Sequence, residues 1–431
     1  QALDPQALAV KARTEHFGAY SKATLESKAH QGRLLAALDR TQEAAALLDE
    51  TIEAMHEHTG IDYPAALDAL AVRADILQME GRYQPRKKVL EEVVHRSNRL
   101  FGENHPRSLK AQVLLAKAQP THRVVPLLEQ LISKLAAVQG PSHPDTLDAM
   151  DDLAWRYYGQ RRMGDAIALA RDALDRRLAA LGEGHPYVIS AQARLASLLG
   201  QGNQFKEAFP LFRRAIAGSE ALFGKRRQRT AIIRGNYGYA LWRSGNLVDA
   251  DRELRFATDT LLAIYGRDTP GESTYGINLA LVLRDMGQYS GAKTLFDARI
   301  SMLKKINGDP ALLADAHKDL GQMYLTQGDV ESACAENQAG IDALRNIEDA
   351  DDLRLELDSV LAYCNYRRSG NSRAIADLEA VADGQRKSAT ADPLDLASSL
   401  IRLARMQNEE RLWQAAFESA QKADKVVAGV H

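Results

Sequence analysis

The sequence predicts an all-α chain, a solenoid of about ten antiparallel helix hairpins. Three observations lead there. A glycine-to-proline junction recurs at fixed spacing: Gly140, Gly182, Gly224 and Gly266 follow one another at 42 residues, and Pro64 to Pro106 is the same step. A constant period of this size is the mark of stacked supersecondary units. Between junctions, apolar residues return at helical intervals, as Leu147, Met150, Leu153, Ala154 and Tyr157 do. No stretch shows the alternation of a strand.

Within one period the signals follow in order. A proline opens the first helix, where its missing N–H costs nothing. A short break, RRMG in the unit that starts at Pro144, separates the two helices. The second helix carries Ile167, Ala170, Ala173, Leu174 and Leu178 and ends before Gly182, which suits a left-handed residue just past the helix end. The same reading along the chain puts the ten starts at Lys22, Pro64, Pro106, Pro144, Pro186, Gln228, Pro270, Pro310, Asp351 and Pro393. The third unit is 38 residues long, and its first helix should end early because Pro120 follows. Residues 1–21 are expected to form a capping helix. Residues 22–431 are expected to form one elongated domain, closed by a last helix near 410–428.

Composition narrows the function classes. Of 431 residues, 26% are charged and 45% hydrophobic, with a formal net charge of −2. That is a folded composition without the field that would draw nucleic acid or anionic lipid. The basic stretches YQPRKK, RRLAALG and GKRRQR are short, separate and balanced by Asp and Glu. No run approaches the apolar length of a membrane span, so direct membrane insertion of this segment is not expected. The start, QALDPQALAV, has neither an initiator Met nor a signal-peptide pattern, and reads as a processed chain or an excised domain.

The units resemble tetratricopeptide repeats of the 42-residue kind found in kinesin light chains. HPDTLDAMDDLAWRYYGQRRMGDAIALARDAL carries the pattern, with Arg161 in place of the turn glycine, and GNYGYALWRSGNLVDADREL, GINLALVLRDMGQYSGAKTLF and KDLGQMYLTQGDVESACAENQ match its central part. Small residues take the close-packing positions: Ala154, Ala196, Gly238, Ala280 and Gly321 in first helices, and Ala166, Ala208, Ala250, Ala292 and Ala333 in second helices. The resemblance implies a right-handed superhelical solenoid that serves as a generic scaffold for proteins and peptides, with first helices lining a concave groove. Arrays of this kind in high-GC bacteria are often attached to signalling proteins such as membrane-bound Ser/Thr kinases. By that analogy the chain reads as a sensory or scaffolding part, periplasmic in a membrane kinase and otherwise cytoplasmic.

Counting inward positions from each helix start gives the candidate groove: Asp151, Trp155 and Tyr158; Arg194 and Ser197; Asn236, Tyr239 and Trp242; Asn278 and Arg284. Exposed Trp and Tyr beside Arg and Asn is the composition of a binding hot spot. Asn236 and Asn278 stand where related repeats hold a peptide backbone through amide contacts. Asp148, Asp151 and Asp152 form an acidic patch, either bait for a basic segment or a solvated helix face. Trp413 matches a packing aromatic. His105, His143 and His185 precede helix-start prolines as capping or surface residues.

No HExxH, GxxxxGK[ST], GxSxG, CxxC or Rossmann fingerprint is present, so the expectation is no enzyme, no cofactor and no metal. The two cysteines, Cys334 and Cys364, fall on helices that should pack together. They are read either as a thiol pair close enough to oxidise or as two buried apolar thiols. The leading expectation is a peptide-binding module, with Trp155 and Trp242 as apolar anchors. The alternative is an assembly protein that forms homo-oligomers through its convex face or end repeats.

Overall fold

The structure, a computed structural model, describes residues 3–429 except 39, 80–81, 120, 267–269, 306–307, 348–349 and 389–390. Packing divides the chain into two compact units, residues 1–266 and 267–431. The first holds α1 (Leu3–Phe17), α2 (Lys22–Ala37), α3 (Thr41–His58), α4 (Pro64–Met79), α5 (Tyr83–Phe101), α6 (Pro106–Ala116), α7 (Thr121–Gln139), α8 (Pro144–Gly159), α9 (Met163–Leu181), α10 (Pro186–Gln201), α11 (Phe205–Phe223), α12 (Gln228–Arg243) and α13 (Leu247–Tyr265). The second holds α14 (Pro270–Asp285), α15 (Tyr289–Lys305), α16 (Pro310–Gln327), α17 (Val330–Ala343), α18 (Asp351–Ser369), α19 (Arg373–Lys387), α20 (Pro393–Glu409) and α21 (Trp413–Ala428). Every expected hairpin start is a helix start. The described residues contain no strand.

Local chemistry explains the boundaries. At the hairpin tips one residue adopts a left-handed conformation. Arg162 N–H donates to the Tyr157 carbonyl at 2.8 Å and Arg161 N–H to that of Tyr158 at 2.9 Å, with Arg161 at φ 60°. These are the paired bonds of a Schellman turn. The same pair recurs at Asn203, Gly245, Gly287, Gly328 and Arg411. The junctions between hairpins differ from the sequence expectation. Gly182 has positive φ, but its ψ is 164°, extended rather than left-handed helical. Gly102 and Gly224 repeat this geometry. It is nearly closed to any side chain, and it throws the chain outward before it folds back. His185 N–H then returns to the Gly182 carbonyl, and His185 Nδ1 accepts the Tyr187 N–H, capping the next helix. His105 and His143 cap α6 and α8 in the same way. The shortened α6 ends at Ala116; Pro120 itself, like the junction residues 267–269, lies outside the described residues.

Within a hairpin the helices meet at the small residues. Ala154, Ala196, Ala280, Ala166, Ala208, Ala250, Ala292 and Ala333 are all buried. At Gly238 a Cβ would stand 3.1 Å from the Leu254 amide nitrogen and 3.3 Å from the Ala250 carbonyl, so the backbones approach closely. Between hairpins, Phe212 on α11 packs its ring on Tyr237 of α12, with centroids 5.3 Å apart. Within each unit, a second helix thus packs on the first helix that follows. First helices also touch first helices: α2 on α4, α8 on α10 and α10 on α12 in one unit, and α14 on α16, α16 on α18 and α18 on α20 in the other. Among the described residues, consecutive second helices make no comparable packing. The first helices therefore gather on the inner side of each unit. The cap α1 packs on α2, with Gln6 Nε2 and Arg13 Nη1 donating to Ser27.

Candidate binding groove

The inner face of the first unit is tied together by charge pairs between successive first helices. Lys110 reaches Asp145 at 2.8 Å, Lys117 reaches Asp152 at 2.9 Å, and Arg194 reaches Asp151 at 2.7 Å. Partners 35 to 43 residues apart in sequence meet because one hairpin period brings them side by side.

This accounting changes the meaning of the acidic patch. Asp151 is 3% exposed and takes Arg177, itself 3% exposed, as well as Arg194. Arg177 also holds Asp148 at 2.8 Å. Burial pushes the Asp151 carboxyl above its ordinary range, and the two arginines pull it back. The three carboxylates of the patch all face cations of this chain. Asp151 is thus a buried link from α8 to α9 and α10, and its partner Arg194 is the half-exposed member that meets solvent.

The aromatic candidates fall into two pairs at equal offsets from their helix starts. On α8, Trp155, 36% exposed, meets Tyr158 edge-on with centroids 5.6 Å apart. On α12, Tyr239 and Trp242, both partly buried, lie 5.6 Å apart. Between them α10 carries Ser197 and Gly200 at the same offsets, both buried. Ser197 Oγ bonds back to the Ala193 carbonyl at 2.9 Å, and a Cβ on Gly200 would come within 3.0 Å of the Ala240 Cβ. Gly200 thus lies where α10 packs on α12, and the two aromatic pairs stand on the first helices to either side of α10. Arg243 closes the α12 side, its Nη1 donating to Gln201 Oε1 at 2.8 Å and its Nη2 to Asn203 Oδ1 at 3.0 Å. Asn236 lies half-buried one turn before Tyr239. The count of inward positions along the sequence included Ser197 but not Gly200.

Asn278 and Arg284 lie on α14 of the second unit, half-buried, with Arg284 at 2.8 Å from Asp285. The inner face of that unit is a polar network. Lys318 bridges Asp315 at 2.9 Å and Glu356 at 2.6 Å; Arg402 of α20 donates to Gln322 of α16 at 2.9 Å and to Ser359 of α18 at 3.1 Å. Burial, helped by Asp315, pushes the Asp319 carboxyl up to about 7. Burial and Glu356 push Asp395 up to about 7. Trp413 is a correction: it is 60% exposed on α21, as Tyr83 is at the matching first position of α5, because this position lies over the tip turn rather than inside the hairpin. Cys334 and Cys364 are both buried in one apolar cluster, where the Cys364 thiol faces the Val330 carbonyl at 4.0 Å.

These features define a helical-repeat solenoid with a built inner face. Three segments, residues 67–107, 146–187 and 188–228, match the family model of the Tetratricopeptide repeat. A Clustered mitochondria protein homolog of Debaryomyces hansenii is 31% identical over 104 residues, 24% of this chain and 8% of the relative's length. Among solved structures, a Rap protein complexed with competence and sporulation factor covers 94% of this chain and 98% of its own at TM-score 0.55 and 14% identity. A kinesin light chain of Podosopora anserina with nearly identical TPR-like repeats covers 47% of this chain and 98% of its own at TM-score 0.38 and 22% identity. No helix among the described residues is long and apolar enough to cross a membrane.

Proposed function

We propose that the chain is a non-catalytic protein-binding module whose first unit takes a partner segment between the aromatic pairs of α8 and α12. The observation that carries this reading is the repetition of an aromatic pair, Trp155–Tyr158 and Tyr239–Trp242, at one offset on either side of a helix stripped to Ser197 and Gly200. Packing alone does not call for large rings on both flanks and none between. Rigid Trp and Tyr give large contact area at small entropy cost. Arg194, oriented by Asp151, and Asn236 supply the polar fixing. On the second unit, Asn278 and Arg284 mark a separate contact surface of the same kind.

A peptide library displayed against the purified chain tests this. Sequences selected by the wild type should lose about 30-fold or more in affinity against Trp242→Ala or Trp155→Ala, the loss of one hot-spot side chain, with the helical signal kept. Unchanged affinity in both variants removes the groove.

The signalling context drew on analogy with bacterial kinases. The curated relatives are fungal Clustered mitochondria protein homologs, which lend that context no support. A second reading, assembly through an end hairpin, has its own observation: Trp413 and Phe417 are 60% and 63% exposed one turn apart on α21. Light scattering over a concentration series separates the two. A dimer lost in Phe417→Ser, with no peptide selected by the groove, favours assembly.

A further inference from the structure

We propose that Cys334 and Cys364 form a peroxide-oxidisable dithiol that staples the hairpin α16/α17 to the hairpin α18/α19. The two thiols lie on the second helix of one hairpin and the first helix of the next, within one buried cluster with Val360. The two cysteines of the sequence both fall at this interface. Cys334 stands six residues after its tip turn, where Ile167 and Phe209 stand in two other hairpins, and Phe209 packs there on Tyr237 of the following first helix. A thiol in place of a phenyl ring leaves room. A cavity of about 600 Å³ adjoins it, lined by Cys334, Ser332 and Gln338 from α17 and by Leu361, Asn365 and Arg368 from α18. Asn365 and Arg368 are exposed, so the cavity reaches solvent.

The two sulfurs differ in kind. Cys334 faces the cavity, while Cys364 is 0% exposed. Burial holds the Cys364 thiol well above the usual range, with Cys334 adding to this and Arg402 and Arg368 opposing it. Cys334 is therefore the entry sulfur and Cys364 the protonated reserve. Glu331 also lines the cavity, but Arg368 sits one turn beyond Cys364 and favours an anionic sulfur or a leaving hydroxide. The oxidant is a hydroperoxide small enough for the cavity, hydrogen peroxide being the simplest. The Cys334 thiolate attacks one peroxide oxygen, the O–O bond breaks, and a sulfenic acid forms with loss of hydroxide, which leaves as water. Cys364 sulfur then attacks the Cys334 sulfur, the S–O bond breaks, and the departing hydroxide takes the Cys364 proton as a second water. Two thiols are oxidised to one disulfide and one peroxide is reduced to two waters.

The test uses the full chain. After native treatment with hydrogen peroxide, thiols are alkylated under denaturing conditions and the unreduced digest is read by mass spectrometry. The expected product is one intramolecular cross-link between the peptides holding Cys334 and Cys364. The melting midpoint of the second unit should rise by roughly 5 °C or more, as for a loop-closing bond, and dithiothreitol should reverse it. In Cys364→Ser, dimedone should label Cys334. In Cys334→Ser, Cys364 should stay unlabelled, with circular dichroism checking the fold of both variants. Two alkylatable thiols after peroxide, a bond between molecules, or sulfinic acid at Cys334 beside a free Cys364 would each overturn the proposal.

Discussion

Replacing Asp151 by Asn should destabilise the first unit by about 3 kcal/mol. Its carboxylate accepts from Arg194 Nη1 at 2.7 Å and pairs with Arg177 at 2.8 Å, and both Asp151 and Arg177 are 3% exposed. At an effective dielectric of about 20, each contact has a gross attraction near 4 kcal/mol, against a desolvation cost of several kcal/mol per ion. What remains in the intact pair is small. What is lost on breaking it is larger, about 3–5 kcal/mol, because a charge stays buried without its partner. The low end applies here, since Asp148 still faces Arg177. Trp155 lies one turn from Asp151 and is a local reporter, once Trp242 and Trp413 are replaced by Phe. Urea titration followed by its fluorescence should show a lower midpoint with an unchanged slope. The double replacement Asp151→Leu with Arg177→Met should come back to within about 1 kcal/mol of the parent, because an apolar pair of similar volume needs no compensation. A loss below 1 kcal/mol in Asp151→Asn, or a double variant worse than the single, would show that the pairing does not hold α8 to α9.

Three further outcomes follow from the same coordinates. Asp319, with a carboxyl pushed up to about 7 by burial and its neighbours, keeps its proton in the fold between about pH 4 and 7 while the unfolded chain has lost it, so the second unit should lose stability as pH rises through that window. Its melting midpoint should be lower at pH 8 than at pH 5, and Asp319→Asn should flatten the slope, leaving the part due to Asp395. Arg161→Gly should raise the melting midpoint of the first unit, worth about 1 kcal/mol, by removing a side chain from a left-handed turn residue; no rise would mean that the Arg161 side chain stabilises the tip. Gly238→Val should destabilise by about 1–3 kcal/mol in urea titration, because the added carbon meets the backbone of Ala250 and Leu254.

Many helix boundaries were readable because nearby residues set them: a proline with a capping His at the start of several first helices, and a glycine with positive φ past the end of several others. Three things were not. The division between the units falls at Gly266, a junction with the same Gly-to-Pro signature as its neighbours, so no residue type marks it. The ψ of the junction glycines depends on where the next hairpin lies. The burial of Asp151 depends on partners 26 and 43 residues away, which no count along α8 can supply. A clue was nonetheless present. Arg177 continues the buried stripe Ala166, Ala170 and Ala173 on α9, and a cation there demands a carboxylate from a facing helix. The aromatic residues were legible one by one, but their shared offset became informative only beside Ser197 and Gly200. The cysteines were legible as neighbours because one hairpin's second helix must meet the next one's first.

The charge pairs on the inner faces make the order of the repeats matter. Lys117 is addressed to Asp152, Arg194 to Asp151 and Lys318 to Glu356, and each address is written on the adjoining hairpin alone. A chain with the same ten hairpins shuffled would keep every helix and every capped end, yet bring lysine against lysine at its seams. Duplications and deletions inside such an array are thus constrained by neighbour identity, and its length can grow without such mismatches only where a copied hairpin happens to carry both halves of the match.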